Sequence, residues 1–233
     1  MIDLHRQDGR LLRIGHRGAA ALAAENTLEA LETAVELGCD LVEFDLLELD
    51  GALVLAHSAA EVPAEPATLD QALGYLAGTP AGVHVDLKSR GIEAALVERL
   101  RALGLVERTV ISSFHADDLR ALRPLEPGLG LGLAYPQDRL GASRRRALLP
   151  LVASALRLMR AGLPPRIGRM LAGAQASAAM LHWSVVSRGV VERCHALGVP
   201  VLVWTVVSRE EVRRLDELGV DGVIADDPQI VPG

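Results

Sequence analysis

Two histidines, one arginine and two carboxylates stand close together near the start of the sequence: His16, Arg17, Glu43, Asp45 and His57. Imidazole side chains can move the protons that attack on a phosphoester and departure of its alcohol require. Carboxylates can hold a divalent metal ion, and such an ion neutralises charge on a phosphoryl oxygen. Together these residue types predict chemistry on a phosphodiester.

Asp86 and Lys88, in the segment VHVDLK, extend this set. Lys88 is the only lysine among 24 basic residues, and all the others are arginines. A lysine ammonium is a compact point charge, whereas a guanidinium is a planar fork of donors. A single lysine in so arginine-rich a chain therefore indicates a site that needs a compact charge.

These residues also have ordinary structural interpretations. A lone histidine at a strand end is more often structural than catalytic, but the adjacent arginine and the carboxylates favour catalytic roles for His16 and His57. Glu43 and Asp45 could instead form an inward salt-bridge network. Three carboxylates with only one lysine on the same rim would repel one another without a further cation, however, and all-oxygen ligands favour Mg²⁺ or Ca²⁺ over zinc.

The bulk composition indicates a cytoplasmic α/β protein of one domain, spanning residues 1–233. Hydrophobic residues make up 50% of the chain but aromatic residues only 3%, which suits an aliphatic core of parallel strands under helices. The net charge of -6 argues against nucleic acid as the main partner. Two cysteines are too few for a disulfide framework. The start of the chain has no apolar run of signal-peptide length, and no stretch is apolar enough to span a membrane.

Short apolar runs alternate with helical patterns along the whole chain, which predicts a (β/α)8 TIM barrel, a closed parallel barrel with outer helices. An open doubly wound sheet is the alternative. The predicted strands are 12–15, 41–46, 82–87, 109–114, 129–135, 180–183, 199–206 and 222–225. The predicted helices are 27–37, 68–76, 92–103, 117–122, 145–160, 188–197 and 209–218. Gly38, Gly104, Gly198 and Gly219 each follow a helix and are predicted to end it.

The strand period predicts that the charged residues point into the barrel. In LVEFDL, Glu43 and Asp45 share one face while the apolar residues share the other, and in VHVDLK the same alternation places Asp86 and Lys88 opposite the valines. These residues lie late in their strands, so we expect them at the C-terminal rim, where barrel enzymes build their sites. Trp204, at the end of the seventh predicted strand, is an apolar wall for substrate carbons.

A series of ordered motifs resembles the glycerophosphodiester phosphodiesterase family. The matching segments are HRG at 16–18, ENT at 25–27, ELGCD at 36–40, EFD at 43–45, DG at 50–51 and His57, followed by DLK at 86–88, SSF at 112–114, WTV at 204–206 and GVDGVIADDP at 219–228. The resemblance runs from the first predicted strand to the last, and motifs at this density are specific.

The resemblance implies a (β/α)8 hydrolase that splits a small-molecule glycerophosphodiester into glycerol 3-phosphate and an alcohol with one divalent cation, Mg²⁺ or Ca²⁺. It also implies a role for each residue introduced above. His16 and His57 are the acid and the base, in an order left open. The metal ligands are Glu43, Asp45 and Asp86, and the cations that hold the phosphate are Arg17 and Lys88.

The chain departs from the family pattern at several positions. Asp86 stands where the family usually has glutamate, Ser58 where it has aspartate, and Ser208 where it has asparagine. Only about ten residues, AAEVPAEPAT after Ser58, separate His57 from the next helix, where relatives often carry a longer covering segment. An alternative is therefore a lysophospholipase D or sphingomyelinase D-like enzyme acting on lysolipids, and a non-catalytic phosphate-binding barrel is a third, less favoured, reading.

Residues 139–169 carry eight arginines and no acidic residue. This segment could make weak contact with a membrane surface, but a barrel helix with solvated arginines is the favoured interpretation. His84 is predicted to lie below the metal as a structural residue. Glu25 and Asn26 fit helix caps and site contacts equally well, and Asp226 and Asp227 are interpreted as caps of a short last helix. The oligomeric state is left open.

Overall fold

The computed structural model describes residues 1–6, 8–137 and 149–232, with the side chain of Leu149 left out. Its nine strands are β1 (Leu12–Gly15), β2 (Leu41–Leu49), β3 (Ala52–Leu55), β4 (Gly82–Leu87), β5 (Thr109–Ser113), β6 (Gly130–Tyr135), β7 (Ala178–His182), β8 (Val201–Val206) and β9 (Gly222–Ala225). Its eight helices are α1 (Leu28–Glu36), α2 (Leu69–Ala77), α3 (Glu93–Ala102), α4 (Ala116–Leu125), α5 (Leu149–Gly162), α6 (Pro164–Ala174), α7 (Arg188–His195) and α8 (Arg209–Leu218). None of the helices in these ranges is long and apolar enough to cross a membrane.

Eight parallel strands close into a barrel, with β3 added outside it. The neighbours run β1, β9, β8, β7, β6, β5, β4 and β2, and β1 also pairs with β2. Ile14 of β1 has Leu41 as its partner on one side and Ile224 on the other. The ring is therefore complete, which confirms the predicted (β/α)8 barrel and excludes the open sheet.

The largest departure from the predicted elements is a hairpin at the end of β2. This strand runs three residues beyond the predicted end at residue 46 and turns back into β3, which pairs with it antiparallel. Asp50 and Gly51 form the turn with φ values of 50° and 83°, the left-handed pair that a two-residue hairpin turn favours. The Asp-Gly pair is the local sequence signal for this hairpin, which brings the chain back to the rim at His57.

The helix predicted over 145–160 corresponds to α5, and α6, which was not predicted, follows it. Its residues 145–148 lie outside the described part of the chain, and α5 begins at Leu149. Pro164 and Pro165 open α6, because proline fits the first helical turn but interrupts an ongoing helix. Elsewhere the helix signals hold: Thr27 Oγ1 accepts a hydrogen bond from the Ala30 amide, and the four predicted C-terminal glycines all have positive φ.

Two apolar layers hold the barrel together. Outward-facing strand residues such as Val42, Phe44 and Val85 are fully buried under the helices. A smaller inner cluster fills the N-terminal half of the barrel, with Ile2 and Leu4 packed against it. Charged residues replace the aliphatic ones only in the inward-facing layers nearer the C-terminal ends of β2 and β4. The fold thus seals one end of the barrel and leaves the polar end for chemistry.

Candidate active site

All eight predicted site residues line one cavity of about 110 Å³ at the C-terminal end of the barrel. The strand register explains their proximity, because Asp45 of β2 lies directly beside Asp86 of β4. The loop after β1 supplies His16 and Arg17, β2 supplies Glu43 and Asp45, and the segment after β3 supplies His57. Asp86 lies on β4, Lys88 follows that strand, and Trp204 lies on β8. The predicted convergence is therefore present, although their roles stay predictions.

The turn that carries His16 and Arg17 is built around an unusual backbone. Arg17 has a φ of 49° and Gly18 a φ of 82°, both in the left-handed region. The Arg17 amide donates to Glu43 Oε2 at 2.6 Å, and the Gly18 amide donates to the Glu43 carbonyl at 2.8 Å. The turn is thereby fixed to the strand that supplies the carboxylates.

Replacing Gly18 with alanine is expected to displace this turn. A Cβ atom there would lie 2.4 Å from the backbone carbon of Ala30, so α1 would have to move. Strain at positive φ and the steric overlap together should cost about 3 kcal/mol or more in free energy of unfolding. Gly51→Ala is the matched control, since its φ of 83° is the same but nothing lies within 4 Å. Urea titration of both variants measures the difference, and equal losses would contradict a steric role for Ala30.

Asp45 is the centre of the charge network. It is 1% exposed, and its carboxylate lies 2.8 Å from Lys88 Nζ and 2.9 Å from Arg17 Nε. Burial opposes ionisation of Asp45, but the charges of Lys88 and Arg17 hold the pKa of Asp45 well below its usual range. Asp45 is thus a fixed anion between two cations.

Glu43 has the opposite electrostatic character. Its carboxylate is buried with no lysine or arginine paired to it among the described residues. Burial raises the pKa of Glu43 to about 7, and the charges of Asp45 and Asp86 act in the same direction against the opposing effect of His16. One oxygen each of Glu43, Asp45 and Asp86 lies within 4.8 Å of the others. This is a compact all-oxygen cluster whose full ionisation needs additional positive charge.

Lys88 bridges two members of that cluster. Its ammonium contacts both Asp45 and Asp86, and these two charges raise the pKa of Lys88 against the effect of burial. Asp86 also accepts a hydrogen bond from Ser112 Oγ at 2.6 Å. The only lysine of the sequence therefore lies where the compact charge was expected.

His16 is held by an acidic partner that the sequence interpretation missed. Its Nδ1 lies 2.6 Å from Asp226 Oδ1, and no described residue forms a hydrogen bond or ion pair with its Nε2. Burial lowers the pKa of His16, but the hydrogen bond to Asp226 and the charge of Glu43 outweigh it, so the pKa is raised above its ordinary value. The interpretation of Asp226 as a helix cap is wrong, because its carboxylate binds His16; Asp227 is the cap, accepting from the Gln229 amide at 3.0 Å.

His57 is held by a cation. Arg17 Nη2 lies 3.0 Å from His57 Nδ1, and Asp45 Oδ2 is farther away at 3.4 Å. An arginine can only donate, so Nδ1 of His57 accepts and the proton of the neutral ring is on Nε2. The two histidines thus present ring nitrogens of opposite character.

Asn26 is a second residue whose role the sequence left undecided. Its Nδ2 donates to Asp45 Oδ2 at 3.0 Å, and its Oδ1 accepts from the Asp45 amide at 3.0 Å. Glu25 binds Arg17 Nη1 at 2.8 Å through its carboxylate. Both residues therefore contact the site, while Thr27 is the cap of α1.

His84, predicted as a structural residue, lies level with Glu43 in the strand register and one inward-facing layer below Asp86. Its Nε2 is 2.8 Å from Ser112 Oγ, and burial lowers the pKa of His84 to about 4. A histidine that stays neutral in this position adds no charge to the cluster. It supports Ser112, which in turn holds Asp86.

Trp204 forms the apolar side of the cavity. Its ring meets Phe114 edge-on at 5.6 Å and His182 at 5.0 Å between ring centroids. Its Nε1 donates to the Met180 carbonyl at 3.0 Å, which fixes the orientation of the ring. Trp204 thus lies beside the charged groups, and its contact with substrate carbons stays a prediction.

Comparison with known proteins agrees with this geometry. The sequence profile of the glycerophosphoryl diester phosphodiesterase family matches residues 16–72 and 79–230. A glycerophosphodiester phosphodiesterase of Caldanaerobacter subterraneus subsp. tengcongensis is 28% identical to this chain over 257 aligned positions, covering 94% of this chain and 96% of the relative.

Two solved structures share the fold. A protein of Silicibacter pomeroyi described as a glycerophosphoryl diester phosphodiesterase superposes with a TM-score of 0.77 at 22% identity, covering 97% of this chain and 93% of its own. A phosphodiesterase of Oleispira antarctica, in complex with the product sn-glycerol-3-phosphate, superposes with a TM-score of 0.73 at 21% identity, covering 93% of each chain. The profile match across most of the sequence confirms the resemblance: the chain belongs to the glycerophosphoryl diester phosphodiesterase family and is a phosphoric diester hydrolase.

Proposed function

We propose that the chain hydrolyses glycerophosphodiesters to glycerol 3-phosphate and an alcohol, with the help of a divalent cation and two histidines. The observation that carries the proposal is the convergence of His16, His57, Arg17 and Lys88 with three carboxylates on a single cavity. The profile match and the product complex of the Oleispira antarctica enzyme support the same substrate class.

The carboxylate cluster fits a divalent cation. Glu43, Asp45 and Asp86 offer oxygen ligands only, which suits Mg²⁺ or Ca²⁺ rather than a softer metal. Among the described residues no lysine or arginine forms an ion pair with Glu43, and burial raises the pKa of its carboxyl to about 7, so a bound cation would favour its ionised form. When bound, such an ion supplies charge neutralisation at a phosphoryl oxygen.

Two protein cations would hold the phosphate. Arg17 and Lys88 both line the cavity and both contact Asp45. They are positioned to offset charge on phosphoryl oxygens, with the guanidinium as a forked donor and the ammonium as a point charge. Trp204 would contact the carbon atoms of the glycerol or the head group.

The hydrogen bonds of the two histidines support one order of their roles. Asp226 accepts from Nδ1 of His16, which leaves Nε2 of His16 as the base that removes a proton from the nucleophile. Arg17 donates to Nδ1 of neutral His57, so this ring would act as the acid only after it gains a second proton. Nε2 would then give its proton to the departing alcohol, and the ring would return to the neutral form. The nucleophile is water or the neighbouring glycerol hydroxyl, and the second route would give a cyclic phosphate first.

Asp226→Asn is expected to alter the pH dependence of turnover. Its hydrogen bond to His16 helps raise the pKa of His16, and a base works only when deprotonated, so the acidic limb of the kcat profile should move to lower pH in the variant. Loss of the correct ring orientation should also lower kcat by about 10²-fold or more. Asp227→Asn is the matched control. An acidic limb that stays in place would contradict the role of Asp226.

Removal of divalent cations is the main test of the proposed function. Turnover of glycerophosphocholine should be lost in EDTA and return with added Mg²⁺ or Ca²⁺, with glycerol 3-phosphate and choline identified by mass. The cation should also stabilise the fold, by about 2.7 kcal/mol at a hundredfold excess over its Kd. Glu43→Gln should abolish that stabilisation. Full activity in EDTA, or no glycerol 3-phosphate under any condition, would refute the proposal.

A lysolipid substrate is the second candidate. The segment between His57 and α2 is short, with a single turn of 3₁₀ helix at Ala59–Glu61, and Asp86 replaces the longer glutamate typical of the family. Parallel assays of glycerophosphocholine and lysophosphatidylcholine decide between the two substrates. A non-catalytic binding barrel is disfavoured, because both histidines line the cavity that holds the phosphate-binding cations.

A further inference from the structure

α5 is an additional helix at the active-site end of the barrel. One helix between β6 and β7 is enough to connect these strands, and α6 provides it by packing between α4 and α7. α5 packs instead on α6 and on the 3₁₀ turn Trp183–Val185, which follows β7 at the C-terminal rim. The barrel does not require α5, so its surface calls for another explanation.

One face of α5 is apolar and uncovered in the described structure. Leu151 is 69% exposed and Leu158 is 75% exposed. They are seven residues apart and so lie on the same side of the helix. Leu156 and Met159 lie on another side and pack against the core. The helix therefore has one apolar side for the protein and a second one facing outward.

Further exposed apolar side chains surround the same end of the barrel. Trp183 is 40% exposed after β7, Val207 follows β8, and Leu22 lies in the loop after β1. All of them leave the barrel on the side of the active-site cavity. Tryptophan is favoured at the boundary between apolar and aqueous phases.

The charge of the segment is positive throughout. The sequence from 149 to 174 contains Arg157, Arg160, Arg166 and Arg169 and no acidic residue. Within the described ranges none of these four forms an ion pair with a carboxylate, and Arg166 donates to the Gly162 carbonyl. The chain as a whole has a net charge of -6. Because salt screens charges beyond about 8 Å, a surface that contacts α5 would interact mainly with these nearby arginines.

We propose that α5 is an interfacial helix that sets the mouth of the barrel on an anionic lipid surface. Leu151, Leu158 and Trp183 would enter the boundary between head groups and acyl chains, and Arg157 and Arg160 would meet the anionic head groups. Exposed leucines beside arginines that form no ion pair with a described residue match a lipid surface better than a nucleic acid, which would use the cations alone. This contact is separate from the phosphodiesterase chemistry and does not depend on it.

Sedimentation with vesicles tests the proposal on the full chain. Wild-type protein should bind vesicles containing phosphatidylglycerol and bind much less to pure phosphatidylcholine vesicles. The double variant Leu151→Glu/Leu158→Glu should weaken binding by more than about tenfold, because it places charges where two apolar side chains would enter the lipid surface. Arg157→Gln/Arg160→Gln should weaken it by about fivefold for each arginine and reduce its dependence on salt.

Leu103→Glu is the matched control, since Leu103 is 41% exposed at the C-terminal end of α3, on the opposite side of the barrel. It should leave vesicle binding unchanged, and every variant should turn over soluble glycerophosphocholine like the wild type. Absence of wild-type binding would overturn the proposal, as would equal binding by the leucine double variant. Binding to a DNA oligonucleotide but not to vesicles would overturn it in favour of a nucleic acid partner.

Discussion

His57→Ala and His16→Ala are each expected to lower kcat by about 10²- to 10⁴-fold, because each removes a proton-transfer group from the cavity. The two losses should differ with the leaving group. An acidic phenol departs without a proton, so a nitrophenyl ester should recover most of its turnover in His57→Ala but not in His16→Ala. Steady-state kinetics on both substrates measure this difference.

His115→Ala is the control for the histidine variants. His115 lies after β5 at the same rim but does not line the cavity, so its replacement should leave kcat within about twofold of the wild type. Recovery by the nitrophenyl ester in His16→Ala instead would reverse the assignment of acid and base. Unchanged turnover in either cavity variant would remove that histidine from the mechanism.

Asp45→Asn is expected to damage both activity and folding. The substitution removes the anion between Lys88 and Arg17, whose contacts with Asp45 are 2.8 Å and 2.9 Å, and leaves two cations beside each other in a buried site. Breaking such a buried pair costs about 3–5 kcal/mol in free energy of unfolding. Turnover should fall by about 10³-fold, since a proposed metal ligand is lost together with the placement of both phosphate-binding cations.

The matched control is Asp70→Asn, which removes the same charge from a largely exposed ion pair with Arg99. Exposed pairs contribute at most about 1 kcal/mol, so this variant should unfold close to the wild-type denaturant midpoint and keep full activity. Chemical denaturation and initial rates measure both effects. A stable Asp45→Asn variant with normal turnover would show that Asp45 is not the centre of the site.

Local pattern was enough to predict the barrel and the side of each strand that faces the cavity. Strand alternation places Glu43 and Asp45 on one face of β2, and the closed parallel sheet then brings Asp86 beside Asp45. The hairpin at Asp50 and Gly51 had a clear local signal but was not predicted, because the predicted strand ended at residue 46, whereas β2 continues to Leu49. Domain count, cellular location and the roles of the site residues stay predictions.

The sequence by itself determined which residues could do the chemistry and on which strand faces they lie, because strand period is a local property. Only the tertiary structure decided their partners. Asp226 meets His16 from 210 positions away because β9 closes the ring against β1, and Asn26 reaches Asp45 across a loop. Arg17 turns toward His57 through a left-handed backbone fixed by Glu43 and Gly18. Hydrogen bonds between residues so far apart in sequence depend on closure of the barrel, and closure is a property of the whole chain.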